Sequence, residues 1–172
     1  MNPVEFSLGL REKLKRVKLL LLDADGVLTD GTISYLEKHG WFRTYNVYDG
    51  YGIKLIQSLG IPVGVISGGN SKDLKERIKL LKIKHSVLGS EDKLKSLEKI
   101  VKKTGVPVEN ICFVADDLFD LPALERVGLA ITVPDAVPEV KAMADWVTTR
   151  RGGHGAVREV IDAIRKVQKL NP

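Results

Sequence analysis

The chain has 172 residues, the length of one domain, and its 44% hydrophobic and 28% charged residues are typical of a globular protein. Its formal net charge of +5 comes from basic residues interleaved with acidic ones, which argues against a nucleic-acid-binding segment. The longest apolar run near the N-terminus, residues 19–22, is too short for a membrane span or a secretion signal. We therefore expect one cytoplasmic domain over residues 1–172 that binds neither nucleic acid nor a membrane.

Short apolar runs alternate with helix-like segments along the chain. In chain order, strands are predicted over residues 17–22, 61–66, 111–114, 129–133 and 146–148, and helices over residues 70–81, 92–103 and 156–167. The strands are mostly apolar, as strands buried on both faces are. This alternation predicts an α/β fold with a doubly wound, mostly parallel sheet that is covered by helices on both faces.

One stretch interrupts this order. Residues 32–47 contain two pieces rich in β-forming residues, 32–35 and 41–45, with Lys38-His39-Gly40 between them. We interpret this stretch as a β-hairpin that projects from the main sheet. Only about twenty residues separate Gly26 from Asn46, which is enough for a hairpin but leaves no room for a separate cap domain. Residues 150–169 are predicted to form a glycine-rich loop and a final helix.

Polar groups follow the predicted strands at the point where each strand ends. They are Asp23 and Asp25 after the first strand, Ser67 after the second, Asp116, Asp117 and Asp120 after the third, and Lys93 at the start of a helix. In open α/β sheets, ligands bind at this edge. Carboxylates can act as nucleophile, as acid or base and as Mg²⁺ ligands, while a hydroxyl and a lysine can hold phosphate oxygens. The set therefore favours phosphoryl transfer.

Each of these features also has an ordinary structural explanation. An Asp-x-Asp-Gly segment is by itself more often a turn, Asp116-Asp117 has the composition of a helix cap, and Lys93 could be a solvated surface lysine. Their coincidence at the ends of successive strands favours the functional interpretation.

The motifs resemble those of the haloacid dehalogenase superfamily. The resemblance lies in the segment from Asp23 to Asp30, in Ser67, in Lys93 and in the segment from Asp116 to Asp120. Within that superfamily, the chain resembles the phosphatases of 3-deoxy-D-manno-octulosonate 8-phosphate (KDO 8-phosphate), an intermediate of lipopolysaccharide synthesis. The more specific matches are residues 46–52, 116–122 and 152–159, and the resemblance covers about residues 17–167.

The resemblance implies Mg²⁺-dependent hydrolysis through an aspartyl-phosphate intermediate. It implies that Asp23 is the nucleophile and a Mg²⁺ ligand, and that Asp25 is the acid/base and ligates Mg²⁺ through its backbone carbonyl. It further implies that phosphate is bound by Ser67, Gly68 and Lys93. Asp116 would complete the metal site, and Asp117 and Asp120 would orient the groups around it. The anionic sugar phosphate itself is expected to contact Asn46, Asp49, Gly50 and Lys54. Arg77 matches an arginine that reaches the substrate carboxylate from a neighbouring subunit of a capless homotetramer.

The chain departs from the family pattern at positions that usually carry arginine. These are Tyr48, Lys54, Gly69 and His154. Two alternatives to the KDO 8-phosphate assignment stay open. One is a phosphatase for another 2-keto sugar acid phosphate, such as a nonulosonate 9-phosphate. The other is a receiver-like phosphoacceptor domain without enzyme activity, although in receivers the lysine comes last, whereas here Lys93 precedes Asp116.

Overall fold

The computed structural model describes residues 6–171, which form a central sheet, its flanking helices and a separate hairpin. The strands are β1 (Leu19–Leu22), β2 (Ser34–Leu36), β3 (Gly40–Phe42), β4 (Val63–Ser67), β5 (His85–Leu88), β6 (Ile111–Val114), β7 (Leu129–Thr132) and β8 (Trp146–Val147). The helices are α1 (Leu8–Arg16), α2 (Val47–Ser58), α3 (Lys72–Leu80), α4 (Lys93–Thr104), α5 (Leu121–Leu124), α6 (Pro138–Met143) and α7 (Ala156–Val167).

The central sheet has six parallel strands in the order β5-β4-β1-β6-β7-β8. From β1 the chain adds β4 and then β5 on one side of β1, and it then crosses to the other side of β1 to form β6. The strand order therefore reverses between β1 and β6, and ligands of open α/β sheets bind at such a reversal. The predicted doubly wound α/β fold is confirmed.

The four leucines of β1 explain how both faces of the sheet are covered. Leu20 and Leu22 pack into the cluster with side chains of α1, α2, α3 and α7, whereas Leu19 and Leu21 pack into the cluster with side chains of α4, α5 and α6. All four leucines are fully buried. Full burial of one such side chain stabilises the fold by about 1.5–3 kcal/mol, so this strand fixes the centre of the molecule.

The hairpin is shorter than the sequence predicts. Strands β2 and β3 pair antiparallel, with Tyr35 opposite Trp41, but the second strand ends at Phe42 instead of continuing to Tyr45. The return segment turns toward α3, where the Tyr45 hydroxyl donates a 3.0 Å hydrogen bond to Asp73 Oδ2. This side-chain contact with a helix takes the place of the strand pairing that the β-rich composition predicts for residues 43–45.

Among the described residues, no helix is both long enough and apolar enough to cross a membrane.

Candidate active site

The loop after β1 carries two carboxylates with different surroundings. The backbone N–H of Asp23 donates to Val114 O at 2.9 Å, which ties the end of β1 to the end of β6. The Asp23 side chain is buried, whereas that of Asp25 is 39% exposed. Gly26 has a φ of +81°, a left-handed conformation that favours glycine, and it turns the chain sharply after the two acids.

Lys93 lies fully buried between two carboxylates. Its Nζ is 2.5 Å from Asp23 Oδ1 and 2.6 Å from Asp120 Oδ1. Burial raises the pKa of Asp23, against the opposing charge of Lys93. For Lys93, burial by itself would lower the pKa, but the two neighbouring carboxylates raise it overall. The ammonium is therefore kept charged beside the candidate nucleophile.

The acidic cluster at this edge has the composition of a divalent-cation site. Carboxylate oxygens of Asp23, Asp116 and Asp120 all lie within 4.8 Å of one another. Three carboxylates against the single ammonium of Lys93 leave an excess of two negative charges when all are ionised. Burial raises the pKa of Asp116 to about 8, and the nearby charge of Asp23 adds to this effect. The arrangement suits a hard, doubly charged ion such as Mg²⁺.

Asp116 offers this cluster a carboxylate oxygen that can bind an ion. Its Oδ1 is buried without a hydrogen-bond partner among the described residues. A Cβ atom on Gly26 would lie only 1.9 Å from Asp116 Oδ2, so glycine is needed for this carboxylate to reach the loop after β1. Asp120 is different, because its Oδ2 accepts from Asp117 N at 3.2 Å and its Oδ1 faces Lys93. These contacts hold Asp120 between Asp117 and Lys93, and its role in orienting the groups of the site stays a prediction.

Asp117 closes the first turn after β6. Its Oδ1 accepts the N–H of Leu118 at 2.7 Å, and with Asp120 it forms a reciprocal capping pair. The structure thus gives Asp117 a local capping role next to the cluster.

We expect Mg²⁺ to raise the Tm of the protein, and more so at pH 8 than at pH 6. The folded-state pKa of Asp116, about 8, lies above its ordinary value of 3.8, so between these pH values the folded state holds the extra proton. Metal-free stability should therefore fall as the pH rises toward 8, and Mg²⁺ should compete better as that proton is lost. Thermal unfolding with and without Mg²⁺ checks this.

Asp116→Asn is the matched variant for this measurement. Its Tm should respond little to Mg²⁺ at either pH, because the side chain loses its negative charge but keeps its shape. A full Mg²⁺ response in Asp116→Asn would remove Asp116 from the metal site.

Ser67 and the glycines after it lie at the end of β4, the strand that pairs with β1. Ser67 is buried, and its Oγ accepts the N–H of Gly69 at 3.0 Å. Gly68 is exposed at the turn. A Cβ atom built on Gly69 would lie 3.3 Å from Ser67 Oγ and 3.4 Å from Asp25 Oδ2. The candidate phosphate-binding hydroxyl and the candidate acid/base therefore face the same small space.

Two predicted substrate contacts, Asn46 and Asp49, have structural partners within the chain. Asn46 Oδ1 accepts from the N–H of Tyr48 at 2.8 Å, which caps α2, and its Nδ2 donates to Gly153 O at 3.2 Å. Asp49 is buried, and its two oxygens accept from Gly155 N at 3.2 Å and Arg158 N at 2.7 Å. Both side chains tie the start of α2 to the glycine-rich loop. Their contact with substrate stays a prediction.

The remaining predicted substrate residues lie on α2 and α3. Arg77 Nη2 donates to Asn46 O at 2.8 Å, and its guanidinium lies 5.3 Å from the ring centroid of Tyr45. Gly50 makes this possible, because a Cβ atom there would come within 2.4 Å of Arg77 Nη2. Lys54 is exposed on α2. Arg77 is thus engaged in its own protomer, and its reach into a neighbouring site stays a prediction.

Arg43 is a site residue that the sequence interpretation missed. It follows β3, and its Nε and Nη2 donate to Asp25 Oδ1 and Oδ2 at 2.5 and 3.0 Å. No motif marks Arg43, because the contact joins residues eighteen positions apart through the fold of the hairpin. An open cavity of about 340 Å³ lies beside this region, lined by Asp30, by residues 44–46 of the hairpin return, by Val47 and Tyr48 at the start of α2, and by Gly153 and His154.

Comparison with known proteins identifies the relatives of this chain. The family model of haloacid dehalogenase-like hydrolases matches residues 87–161. The chain is 41% identical over 157 residues to the 3-deoxy-D-manno-octulosonate 8-phosphate phosphatase KdsC of Escherichia coli K12, covering 91% of this chain and 83% of that protein.

Solved structures agree with this similarity. The crystal structure of 3-deoxy-D-manno-octulosonate 8-phosphate phosphatase from Yersinia pestis superposes with a TM-score of 0.93 at 35% identity, over 95% of this chain and 89% of that one. The Moraxella catarrhalis enzyme, solved with a magnesium ion, a phosphate ion and a KDO molecule, superposes with a TM-score of 0.89 at 37% identity, over 92% of this chain and 91% of that one.

Proposed function

Because the chain belongs to the KDO 8-phosphate phosphatase family of haloacid dehalogenase-like hydrolases, we propose that it hydrolyses KDO 8-phosphate to KDO and inorganic phosphate, with Mg²⁺ as cofactor. That the chain is a phosphatase follows from the family. One observation carries the mechanism: a buried lysine, Lys93, pairs with Asp23 inside a cluster of three carboxylates that suits a divalent cation. The receiver-like alternative does not fit a chain of this family.

The first half of the proposed reaction forms a phosphoenzyme. An oxygen of Asp23 attacks phosphorus, and the bond between phosphorus and the sugar oxygen breaks. The electron pair of that bond stays on the sugar oxygen, which takes a proton from the carboxylic acid of Asp25. Lys93 and Ser67 stabilise the charge on the phosphoryl oxygens, and burial of Lys93 strengthens this interaction.

The second half regenerates the enzyme. The carboxylate of Asp25 takes a proton from water, and the water oxygen attacks phosphorus. The bond between phosphorus and Asp23 breaks, its electron pair returns to the Asp23 carboxylate, and inorganic phosphate leaves. Asp25 ends the cycle protonated, ready for the next substrate. The exposure of Asp25 gives water access to this step.

Mg²⁺ would be held by the carboxylates of Asp23 and Asp116 and by the backbone carbonyl of Asp25. When bound, it supplies positive charge that offsets the carboxylates and the phosphoryl oxygens. Support comes from the unpartnered Oδ1 of Asp116 in this chain and from the magnesium ion of the Moraxella catarrhalis relative.

A phosphate-release screen tests the substrate assignment. KDO 8-phosphate should give a kcat/KM at least about tenfold above that of a nonulosonate 9-phosphate, which corresponds to about 1.4 kcal/mol in transition-state binding. p-Nitrophenyl phosphate and simple hexose phosphates should be poorer still, and EDTA should remove the activity in a way that Mg²⁺ restores. A higher kcat/KM for the nonulosonate 9-phosphate would contradict the KDO 8-phosphate assignment and identify the nonulosonate 9-phosphate as the better substrate.

We also propose that the protein is a homotetramer whose hairpins pack together. The hairpin exposes apolar side chains, with Trp41 61% exposed and the Tyr35 ring tilted against it at 5.1 Å between ring centroids. Such a surface is costly in water and typical of an interface. Sedimentation equilibrium should give four times the chain mass of 19.0 kDa. A fully active monomer would contradict shared sites.

The family resemblance supports two finer proposals. The enzyme acts in lipopolysaccharide biosynthesis, and it works in the cytoplasm. Loss of lipopolysaccharide in a strain that lacks the gene, restored by this chain but not by its Asp23→Asn variant, would support the pathway. Fractionation of cells that express the chain checks the location.

A further inference from the structure

Arg43 makes a two-point ion pair with Asp25. The contacts run from Nε to Oδ1 at 2.5 Å and from Nη2 to Oδ2 at 3.0 Å, so the fork of the guanidinium matches both carboxylate oxygens. Among the described residues, Arg43 is the only side chain that donates hydrogen bonds to this carboxylate. A bidentate contact fixes the plane of a carboxylate as well as its position, which a single hydrogen bond does not.

The guanidinium is itself firmly held. Its Nη1 donates to Ser71 Oγ at 2.8 Å and lies 3.6 Å from Asp73 Oδ1. The Arg43 side chain is only 10% exposed, which is unusual for a residue on a projecting hairpin. The hydrogen bond to Asp25 raises the pKa of Arg43 further, so its charge is constant through the reaction. Arg43 therefore works as a fixed cation and does not exchange protons.

Gly69 shows which way this ion pair faces. A Cβ atom built on Gly69 would lie 3.3 Å from Arg43 Nη2, 3.4 Å from Asp25 Oδ2 and 3.3 Å from Ser67 Oγ. Oδ2 is thus the Asp25 oxygen on the side of the candidate phosphate-binding hydroxyl. Oδ2 also makes the longer of the two contacts with Arg43. While one of its lone pairs accepts that hydrogen bond, its second lone pair is left for a proton.

We propose that Arg43 is a positioning residue for the acid/base step: its guanidinium holds Asp25 so that Oδ2 faces the phosphoryl site. This inference rests on the proposed function, specifically on Asp25 as the acid/base. Oδ2 then carries the proton to the sugar oxygen and later takes one from water, while Oδ1 stays bound to Nε throughout.

The test separates formation of the phosphoenzyme from its hydrolysis. p-Nitrophenolate leaves without a proton, whereas a sugar alkoxide needs one. Arg43→Gln should therefore lower kcat for KDO 8-phosphate by about 10- to 100-fold, part of the effect of a general acid, with KM changed less than about threefold. In rapid-mixing experiments with p-nitrophenyl phosphate, the first turnover should release p-nitrophenolate at nearly the wild-type rate, and the later steady state should be slow.

Arg43→Lys and Arg165→Gln are the comparison variants. Arg43→Lys keeps the positive charge but not the forked guanidinium, so its kcat should stay below that of the wild type. It also tests the inference if Arg43→Gln folds poorly. Arg165→Gln removes a similar arginine from an ion pair with Asp162 on α7 and should behave as wild type.

Three results would overturn this inference. One is a p-nitrophenolate burst slowed as much as the sugar phosphate reaction, which would indicate a role in phosphate binding or folding. The second is full activity of Arg43→Gln on KDO 8-phosphate while Asp25→Asn is inactive; in that case the proposed function stands and only the role of Arg43 fails. The third is full activity of Arg43→Lys, which would show that charge without the fork suffices. Full activity of Asp25→Asn would instead overturn the proposed function itself.

Discussion

Replacing Asp23 by asparagine is expected to lower kcat by about 10⁴-fold or more while the fold is retained. An amide is a very poor nucleophile toward phosphorus, and it is a weaker ligand for a divalent cation. The fold should survive because Asn has nearly the shape of Asp and because Lys93 keeps Asp120 at 2.6 Å as its second partner. Burial already disfavours the ionised form of Asp23, so a neutral side chain is tolerated there.

Steady-state assays and thermal unfolding together check this expectation. Asp162→Asn is the matched control, because it makes the same chemical change in a surface ion pair with Arg158 on α7 and should leave kcat unchanged. An Asp23→Asn enzyme that turns over within tenfold of the wild type would refute the nucleophile assignment.

Replacing Asp25 by asparagine is expected to lower kcat for KDO 8-phosphate by about 10²- to 10⁴-fold, the usual contribution of a general acid or base. Both halves of the reaction should slow, since the same carboxyl group gives a proton to the sugar oxygen and takes one from water. With p-nitrophenyl phosphate the phosphoenzyme should still form but should break down slowly. A variant with a raised KM and an unchanged kcat would show that Asp25 only binds substrate.

The fold was largely predictable because buried parallel strands leave a simple sequence pattern. The four consecutive leucines of β1 predict a strand buried on both faces, and the structure places alternate leucines in the cores on opposite faces of the sheet. Strand β5 was missed because His85 and Ser86 interrupt its apolar character. Helix α2 was missed because it contains Gly50 and Gly52, which disfavour helix, and it is held at its start by the side chain of Asn46.

The candidate site was predictable only in part. Asp23, Ser67 and Asp116 lie at the carboxyl ends of three parallel strands. These ends meet at one edge of the sheet, so the proximity of the three residues follows from the topology. The partner of Asp25 did not follow from any spacing, because Arg43 reaches it from a hairpin whose direction depends on tertiary contacts. The capping contacts of Asp49 with α7 were equally hidden, since they join residues more than a hundred positions apart.

The measurement closest to the central claim is direct detection of the phosphoenzyme. Asp25→Asn enzyme is mixed with p-nitrophenyl phosphate and Mg²⁺, quenched in acid during the first turnover, digested and analysed by mass spectrometry. We predict one phosphoryl group on the peptide that contains Asp23, absent from the Asp23→Asn, Asp25→Asn double variant. A phosphoryl group on any other residue, or p-nitrophenolate release with no phosphorylated peptide at any time, would contradict the account.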